Sequence, residues 1–258
     1  MMSEKYAMQD KTPGRLKALQ DAIDPATFRR IKAVGLAPGW HCWDVGAGAA
    51  SVAIWLSEQV GENGKVLATD IKTDLVERLS ELPNVTVLKH NVDKDDTPSG
   101  PFDLIHTRVV LMHGGINRTA VIKKLISALK PGGMLILEEH DEYGTYTLMP
   151  ENLAFAKAIY FATKAIESNG ASLSWARNLP TLLQEAGLVD VEVEIDAPYF
   201  RGGSPYARFW GDTVEELREQ ITTKGMTAED VDLAVAQAND PNCWLSCHAM
   251  IAAWGRKQ

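Results

Sequence analysis

The chain has little that would brace it covalently and little that would carry it to a membrane or a nucleic acid. It holds 3 cysteines in 258 residues. An odd and small number does not make a disulfide framework, and a reducing cytoplasm is the expected compartment. Cys243 and Cys247 stand four apart beside His248, too few ligands for a metal site, so no metal is expected. No apolar run reaches the roughly 20 residues of a membrane-spanning helix. The opening Met1-Met2-Ser3-Glu4-Lys5 has no apolar signal-peptide core. Basic residues are in the minority, 26 Lys and Arg against 34 Asp and Glu, for a net charge of −8. Without a basic stripe, nucleic acid is not an expected partner. The nearest thing to one, Arg29-Arg30 with Lys32, reads as a solvated helix face. Low-complexity linkers and internal repeats are missing as well.

What is present is an alternation of strand-like and helix-like segments, the pattern of a parallel sheet with helices on both faces. Strands are expected at His41 to Val45, Lys65 to Thr69, Val85 to Lys89, Phe102 to Thr107 and Met134 to Glu138, with helices at Ser51 to Val60, Thr73 to Glu81 and Arg118 to Leu129. The rhythm then changes. Helical spacing marks Glu151 to Ser168, Asn178 to Ala186, Pro205 to Thr223 and Thr227 to Ala238, and strands are expected at Val189 to Ile195 and Ser246 to Gly255. Before the sheet, Leu16, Leu19 and Ile23 share one helix face. Asp24-Pro25 reads as a restart, with Asp24 as N-cap and Pro25 in the first turn. The expected fold is α/β: a doubly wound, mostly parallel, seven-stranded Rossmann-like sheet with helical cap additions. Residues 1–36 are expected to form an N-terminal helical lid, 37–142 a cofactor-binding core, and 143–258 the rest of the sheet with helical substrate-cap insertions, all in one structural domain.

The densest signal is Trp43-Asp44-Val45-Gly46-Ala47-Gly48-Ala49-Ala50-Ser51, followed by Val66-Leu67-Ala68-Thr69-Asp70. An apolar strand runs into a turn of very small residues, a helix begins with unpaired N–H groups, and an acid ends the next strand. Small residues let a ligand lie against backbone, and a carboxylate can accept from both hydroxyls of a ribose. Read alone, the glycine turn is equally a tight strand-to-helix connection without a ligand, and Asp70 equally a cap for the next helix.

Taken in order, Asp44-Val45-Gly46-Ala47-Gly48, Asp70, Phe102-Asp103-Leu104-Ile105 and Leu129-Lys130-Pro131-Gly132-Gly133 resemble the class I S-adenosylmethionine-dependent methyltransferases over residues 38 to 140. Tyr6-Ala7-Met8, Arg15-Leu16, Arg201-Gly202-Gly203-Ser204-Pro205, Arg208-Phe209-Trp210 and Ala252-Ala253-Trp254-Gly255 are similar to a bacterial branch tied to small-molecule biosynthesis. The resemblance implies S-adenosylmethionine as cofactor and methyl transfer to oxygen, nitrogen or carbon of a small-molecule acceptor. It implies that Gly46, Gly48, Ala50 and Ser51 form the turn under the methionine portion, with Ala50 where the family usually has a third glycine. Asp44 orders the ammonium, Asp70 the ribose, and Ile71 the adenine face. Asn91, where the family often has an acid, and Val92 meet the adenine edge, and Thr107 and Arg108 line the methionine end. Tyr6 closes the lid, and Arg15 pairs with the methionine carboxylate.

His113 and His140 fall past the ends of two strands and are candidate general bases, since an imidazole titrates near neutrality. A pocket wall or a hydrogen-bonded structural residue is the more frequent role for a histidine at either place. His41, His90, His106 and His248 read as packing or strand-end groups. Trp175, Arg177, Tyr199, Arg201, Phe209 and Trp210 either line an acceptor pocket or pack helices on the core. A nicotinamide oxidoreductase shares the glycine turn and the acid, but Gly46-x-Gly48-x-x-Ser51 lacks the last glycine of that fingerprint. A binding protein on the same fold is the other alternative, and homodimer formation is left open.

Overall fold

The computed structural model describes residues 14–72, 77–142 and 153–258. Tyr6 lies outside the described residues, as does part of the helix expected from Thr73. Seven strands form the main sheet: β1 His41–Val45, β2 Lys65–Asp70, β3 Val85–Lys89, β4 Phe102–Arg108, β5 Leu129–Asp141, β6 Leu188–Asp196 and β9 Ala249–Lys257. Their order is β3-β2-β1-β4-β5-β9-β6. The first five run parallel, and β9 is antiparallel to both β5 and β6. The strand order reverses between β1 and β4, where open α/β sheets place their ligands at the carboxyl ends of the strands. A short pair, β7 Phe200–Arg201 with β8 Trp244–Leu245, stands apart.

The helices are α1 Arg15–Ala33, α2 Ser51–Val60, α3 Arg118–Ala128, α4 Ala154–Ser168, α5 Leu179–Glu185, α6 Pro205–Glu216, α7 Arg218–Thr223 and α8 Ala228–Asn239. Side chains alternate across the sheet and give it two packed faces. Cys42, Val66, Ala68, Leu104, Met134 and Ile136 meet α2 and the end of α1. Trp43, Val45, Leu67, Ile105, Leu135 and Leu137 meet α3 and the cap helices. β1 is buried on both faces, as a central parallel strand should be, whereas β6 is an edge strand with alternating exposure.

Several sequence-derived boundaries are corrected. Residues 15–33 form one continuous helix with Pro25 inside it, so Asp24 is not an N-cap. Its carboxylate instead bonds the Ser51 hydroxyl at 3.0 Å and the Arg108 guanidinium at 2.9 Å. Packing of the helix against the sheet overrides the local Asp-Pro signal. Lys130-Pro131-Gly132-Gly133 reads as a turn but continues β5, with a register irregularity opposite Phe102–Leu104. The last strand starts at Ala249 and not at Ser246, because 244–245 leave to pair with β7. Pro205 to Thr223 divides into two helices at Leu217. Arg30 is not solvated: it is only 2% exposed.

Candidate active site

The turn after β1 is built from backbone that favours residues without a side chain. Gly46, Gly48 and Ala50 all have positive φ, at 69°, 56° and 71°. The N–H groups of Gly46 and Ala47 donate to the Thr69 carbonyl at 2.8 and 2.9 Å, which fastens the turn to β2. Left-handed backbone costs an alanine about 1–2 kcal/mol, so Ala50 sits where the fold asks for glycine. Its methyl group is fully buried. At Gly46 a Cβ would stand 2.3 Å from the Val110 Cγ2. Gly46→Ala is therefore expected to lose about 2–3 kcal/mol by combined backbone strain and overpacking. Urea unfolding of Gly46→Ala alone and with Val110→Ala separates the two costs, since only the clash is relieved in the double variant.

Asp44 and Asp70 approach this turn from two strands. Asp44 is 3% exposed, and one of its oxygens, Oδ2, is buried without a hydrogen-bond partner among the described residues. Asp70, at the end of β2, accepts from the Gly48 N–H at 3.0 Å and the Lys72 N–H at 2.9 Å. Each carboxylate oxygen keeps further acceptor capacity. Ile71 beside it is 44% exposed. Asn91 Oδ1 accepts from the Asp93 N–H at 3.0 Å, an Asx turn that shapes the loop after β3. Val92 is buried in the core. Thr107 is fully buried, and its hydroxyl, like Asp44 Oδ2, has no partner among the described residues.

Between Asp44 and α1 runs a buried ionic lattice that sequence reasoning missed. Asp44 and His106 are register partners on β1 and β4, so their side chains share a face. His106 Nδ1 lies 2.9 Å from Asp44 Oδ1, and its Nε2 lies 3.3 Å from Glu138 Oε2 on β5. Glu138 also accepts from the Arg30 guanidinium at 2.6 Å and the Thr27 hydroxyl at 2.5 Å. Arg30 continues to Glu194 and Asp196 at the edge strand. Burial opposes charge on His106, but its bonds to two carboxylates outweigh that and push it up to about 9. Burial likewise opposes ionisation of Glu138, yet the His106 bond and the charges of His106, Arg108 and Arg30 hold it down at about 2. The available signal was a histidine and a glutamate inside strands expected to be buried on both faces, where a polar side chain demands a partner.

Glu139 faces the opposite side and accepts from the N–H groups of Val110, Leu111 and Met112 at 3.2, 2.8 and 3.1 Å. Burial nonetheless pushes it up to about 7. Arg118 donates to the carbonyls of Leu111 and Met112 at 2.7 and 3.2 Å. The segment after β4 that leads to His113 is thereby pinned at both donors and acceptors. His113 is half-buried at the end of that segment.

His140 is buried, at 3% exposed. Burial and the charge of Arg108 pull it down to about 4, so it is neutral at pH 7. It packs edge-on against Trp210 and His248, with centroids 5.6 and 5.8 Å apart. Trp175, Phe209 and Trp210 are buried packing residues, whereas Tyr199 is exposed. Arg15 turns toward the cap: its guanidinium is 3.3 Å from Glu216 Oε2 on α6 and lies over the Phe209 ring at 5.1 Å. It stands about 14 Å along the helix from Asp24, the residue that reaches the glycine turn. Arg108 donates to the Thr27 hydroxyl at 2.9 Å as well as to Asp24.

A cavity of about 230 Å³ opens between α1, the ends of β4 and β6, and the start of β9. Ile23, Ala26, Pro198 and Met250 give it apolar walls, and Arg108, Arg30, Asp196 and Tyr206 supply polar groups. Arg108 thus belongs both to this cavity and, through Asp24 and Ser51, to the glycine turn.

The sequence model of a methyltransferase domain matches residues 43–133. Over 116 residues the chain is 29% identical to a ubiquinone/menaquinone biosynthesis C-methyltransferase of Shewanella pealeana, covering 42% of this chain and 46% of that protein. The chain spans about half the length of the first curated relatives it matches. The YcgJ protein of Bacillus subtilis superposes with a TM-score of 0.61 at 16% identity, over 91% of this chain and 99% of that one. Phosphoethanolamine N-methyltransferase 2 of Haemonchus contortus, solved with S-adenosylhomocysteine, superposes at 0.57 and 16% identity, over 91% of this chain and 53% of that one. The seven-stranded sheet with its flanking helices is the Rossmann-like fold of these structures.

Proposed function

For a chain that carries a methyltransferase domain on the Rossmann-like class I fold, we propose S-adenosylmethionine-dependent methyl transfer to an oxygen, nitrogen or carbon atom of a small-molecule acceptor. The observation that carries this reading is one juxtaposition at the sheet's switch point. A positive-φ turn, a strand-end acid with spare acceptor capacity, and a buried Asp44 oxygen without a partner among the described residues lie together. These residues fit the cofactor. Gly46, Gly48, Ala50 and Ser51 would pass under its methionine portion, and Asp44 would take its amino group. Asp70 would hold the ribose, and Ile71, Asn91 and Val92 would meet the adenine. Thr107 and Arg108 would line the methionine end, with Arg15 and Tyr6 on the lid side. When bound, the cofactor supplies an already activated methyl group.

The remaining work of the chain is positioning and exclusion of water. The cavity under α1 suits a small acceptor with a largely apolar body and a polar group near Arg108. Curated relatives named for ubiquinone and menaquinone biosynthesis agree with an acceptor of that kind. His140, neutral and buried, is suited to accept a hydrogen bond more than to hold a proton, because its affinity for protons is low. His113, on the pinned segment after β4, is the more accessible candidate base. Residues 37–142 act as the cofactor-binding core, 1–36 as the lid and 143–258 as the acceptor cap. The cytoplasm is the proposed compartment, and sedimentation reads whether the chain forms a homodimer.

Calorimetric titration with S-adenosylhomocysteine and, separately, NADH tests the cofactor. Saturable binding of the first alone is expected, and saturation by NADH alone would point to an oxidoreductase. Mass spectrometry over a panel of phenols, quinols and amines then tests transfer. Cofactor binding with no methylated product across that panel counts for a binding protein.

A further inference from the structure

The ionic lattice has a consequence for the cofactor that goes beyond the proposed reaction and rests on it. We propose that His106 is a positioning residue for the cofactor: an imidazolium in the middle of β4 that holds Asp44 by one oxygen and leaves the other turned to the cofactor's amino group. Three observations support it. His106 is 1% exposed, so its ring nitrogens must find their partners within the protein. Its two ring nitrogens meet two different carboxylates, Asp44 at 2.9 Å and Glu138 at 3.3 Å. A neutral imidazole has one N–H and one lone pair, so it can donate to only one of them, and the other nitrogen would face an acceptor without a proton between. With both carboxylates ionised, only the protonated ring satisfies both sides.

The charges around the ring agree with that state. From β1 it faces Asp44 and from β5 Glu138. From α1, Arg30 and Thr27 reach the same glutamate. On its own strand, Arg108 lies two residues on and is paired to Asp24 of α1. Without the ring, Glu138 would keep Arg30 and Thr27, and Asp44 would be a buried acid with no hydrogen-bond partner among the described residues. With it, the negative charge of Asp44 is already half committed before any ligand arrives. Its free oxygen is fixed in direction and its hydrogen-bonding demand is unmet. Preorganisation of this kind raises affinity by removing the cost of ordering the acceptor at binding. The lattice also ties α1, through Thr27 and Arg30, to the acid that reads the amino group, so the lid helix and the cofactor end of β1 are one mechanical unit.

The test compares S-adenosylhomocysteine with its analogue lacking the α-amino group, by calorimetry on wild type and His106→Gln. Loss of the imidazolium is expected to weaken the amino-bearing ligand about tenfold and the deamino analogue by less than about twofold. In an Asp44→Asn background, His106→Gln is expected to add nothing for either ligand. Equal weakening of both ligands means a merely structural role and overturns the proposal, as does no weakening of either. The ¹⁵N shifts of the wild-type ring give a readout that needs no variant to fold. Both nitrogens should be protonated at pH 8, and a neutral ring there overturns the proposal. If wild type binds neither ligand, the methyl-transfer reading falls with it. If wild type and variant bind alike, only the role of His106 falls.

Discussion

Glu138→Ala is expected to cost about 3–5 kcal/mol of folding stability, the usual penalty for removing one partner of a buried ion pair. The glutamate is fully buried and is the shared acceptor of Arg30, Thr27 and His106. Taking it away leaves two buried cations facing each other across an empty site. Against a total stability of about 5–15 kcal/mol for a typical domain, that is a large fraction. Guanidinium unfolding at neutral pH measures it. A cost under about 1 kcal/mol would mean that the lattice is solvated in solution and not closed.

The same lattice shapes the dependence of stability on pH. Glu138 is held at about 2, below its ordinary 4.5, so its contribution is complete above 4.5 and is lost as pH falls toward 2. His140, down at about 4 from 6.5, is buried neutral, and stability falls as pH drops below 6.5 and the unfolded ring takes a proton. His106, raised to about 9 from 6.5, works the other way: its contribution is complete below 6.5 and is lost as pH rises through 9. Glu139, raised to about 7 from 4.5, favours the protonated folded state, so stability declines as pH rises from 4.5 through 7. His248, also fully buried and pulled well below 6.5, adds to the fall on the acid side, so the stability maximum lies near pH 6.5. Melting temperatures across pH 4 to 10 should trace that dome, and a monotonic rise above pH 7 would contradict the charge state assigned to His106.

Asp70→Ala is expected to lose affinity for S-adenosylhomocysteine by on the order of 10²-fold, corresponding to two charge-assisted hydrogen bonds of about 1.5–3 kcal/mol each, part of which water replaces. The carboxylate has a second job, since it accepts from the Gly48 and Lys72 N–H groups and so shapes the turn it serves. Asp70→Asn keeps one such acceptor and should lie between wild type and alanine. Calorimetry decides. An unchanged dissociation constant in Asp70→Ala would remove the ribose from this position and with it the orientation proposed for the cofactor.

The parallel sheet was legible because its strands are short apolar runs closed by turn residues, and because Gly46, Gly48 and Asp70 fall at strand ends where spacing alone places them. The bounds of β1, β3 and α2 were read to the residue. Elements that depend on distant partners were read less well. Asp24-Pro25 restarted a helix on paper but lies inside one in the structure, because the packing of α1 over the sheet outweighs one missing hydrogen bond. The Lys130–Gly133 stretch looked like a turn, yet it is a bulged part of β5. Arg30 looked solvated because a guanidinium on a helix normally is. Its burial is decided by Glu138, 108 residues away.

By itself the sequence determined the fold class and the identities of the residues at the glycine turn, because these follow from local period and from backbone that only small residues adopt. Which polar side chains would be inside was decided by the tertiary structure. Asp44, His106, Glu138, Thr27 and Arg30 come from three strands and one helix, and none is informative next to its own neighbours. Buried charge is tolerable only when its partners arrive from elsewhere in the chain, so the lattice that holds Asp44 exists only after the sheet has formed and α1 has closed over it.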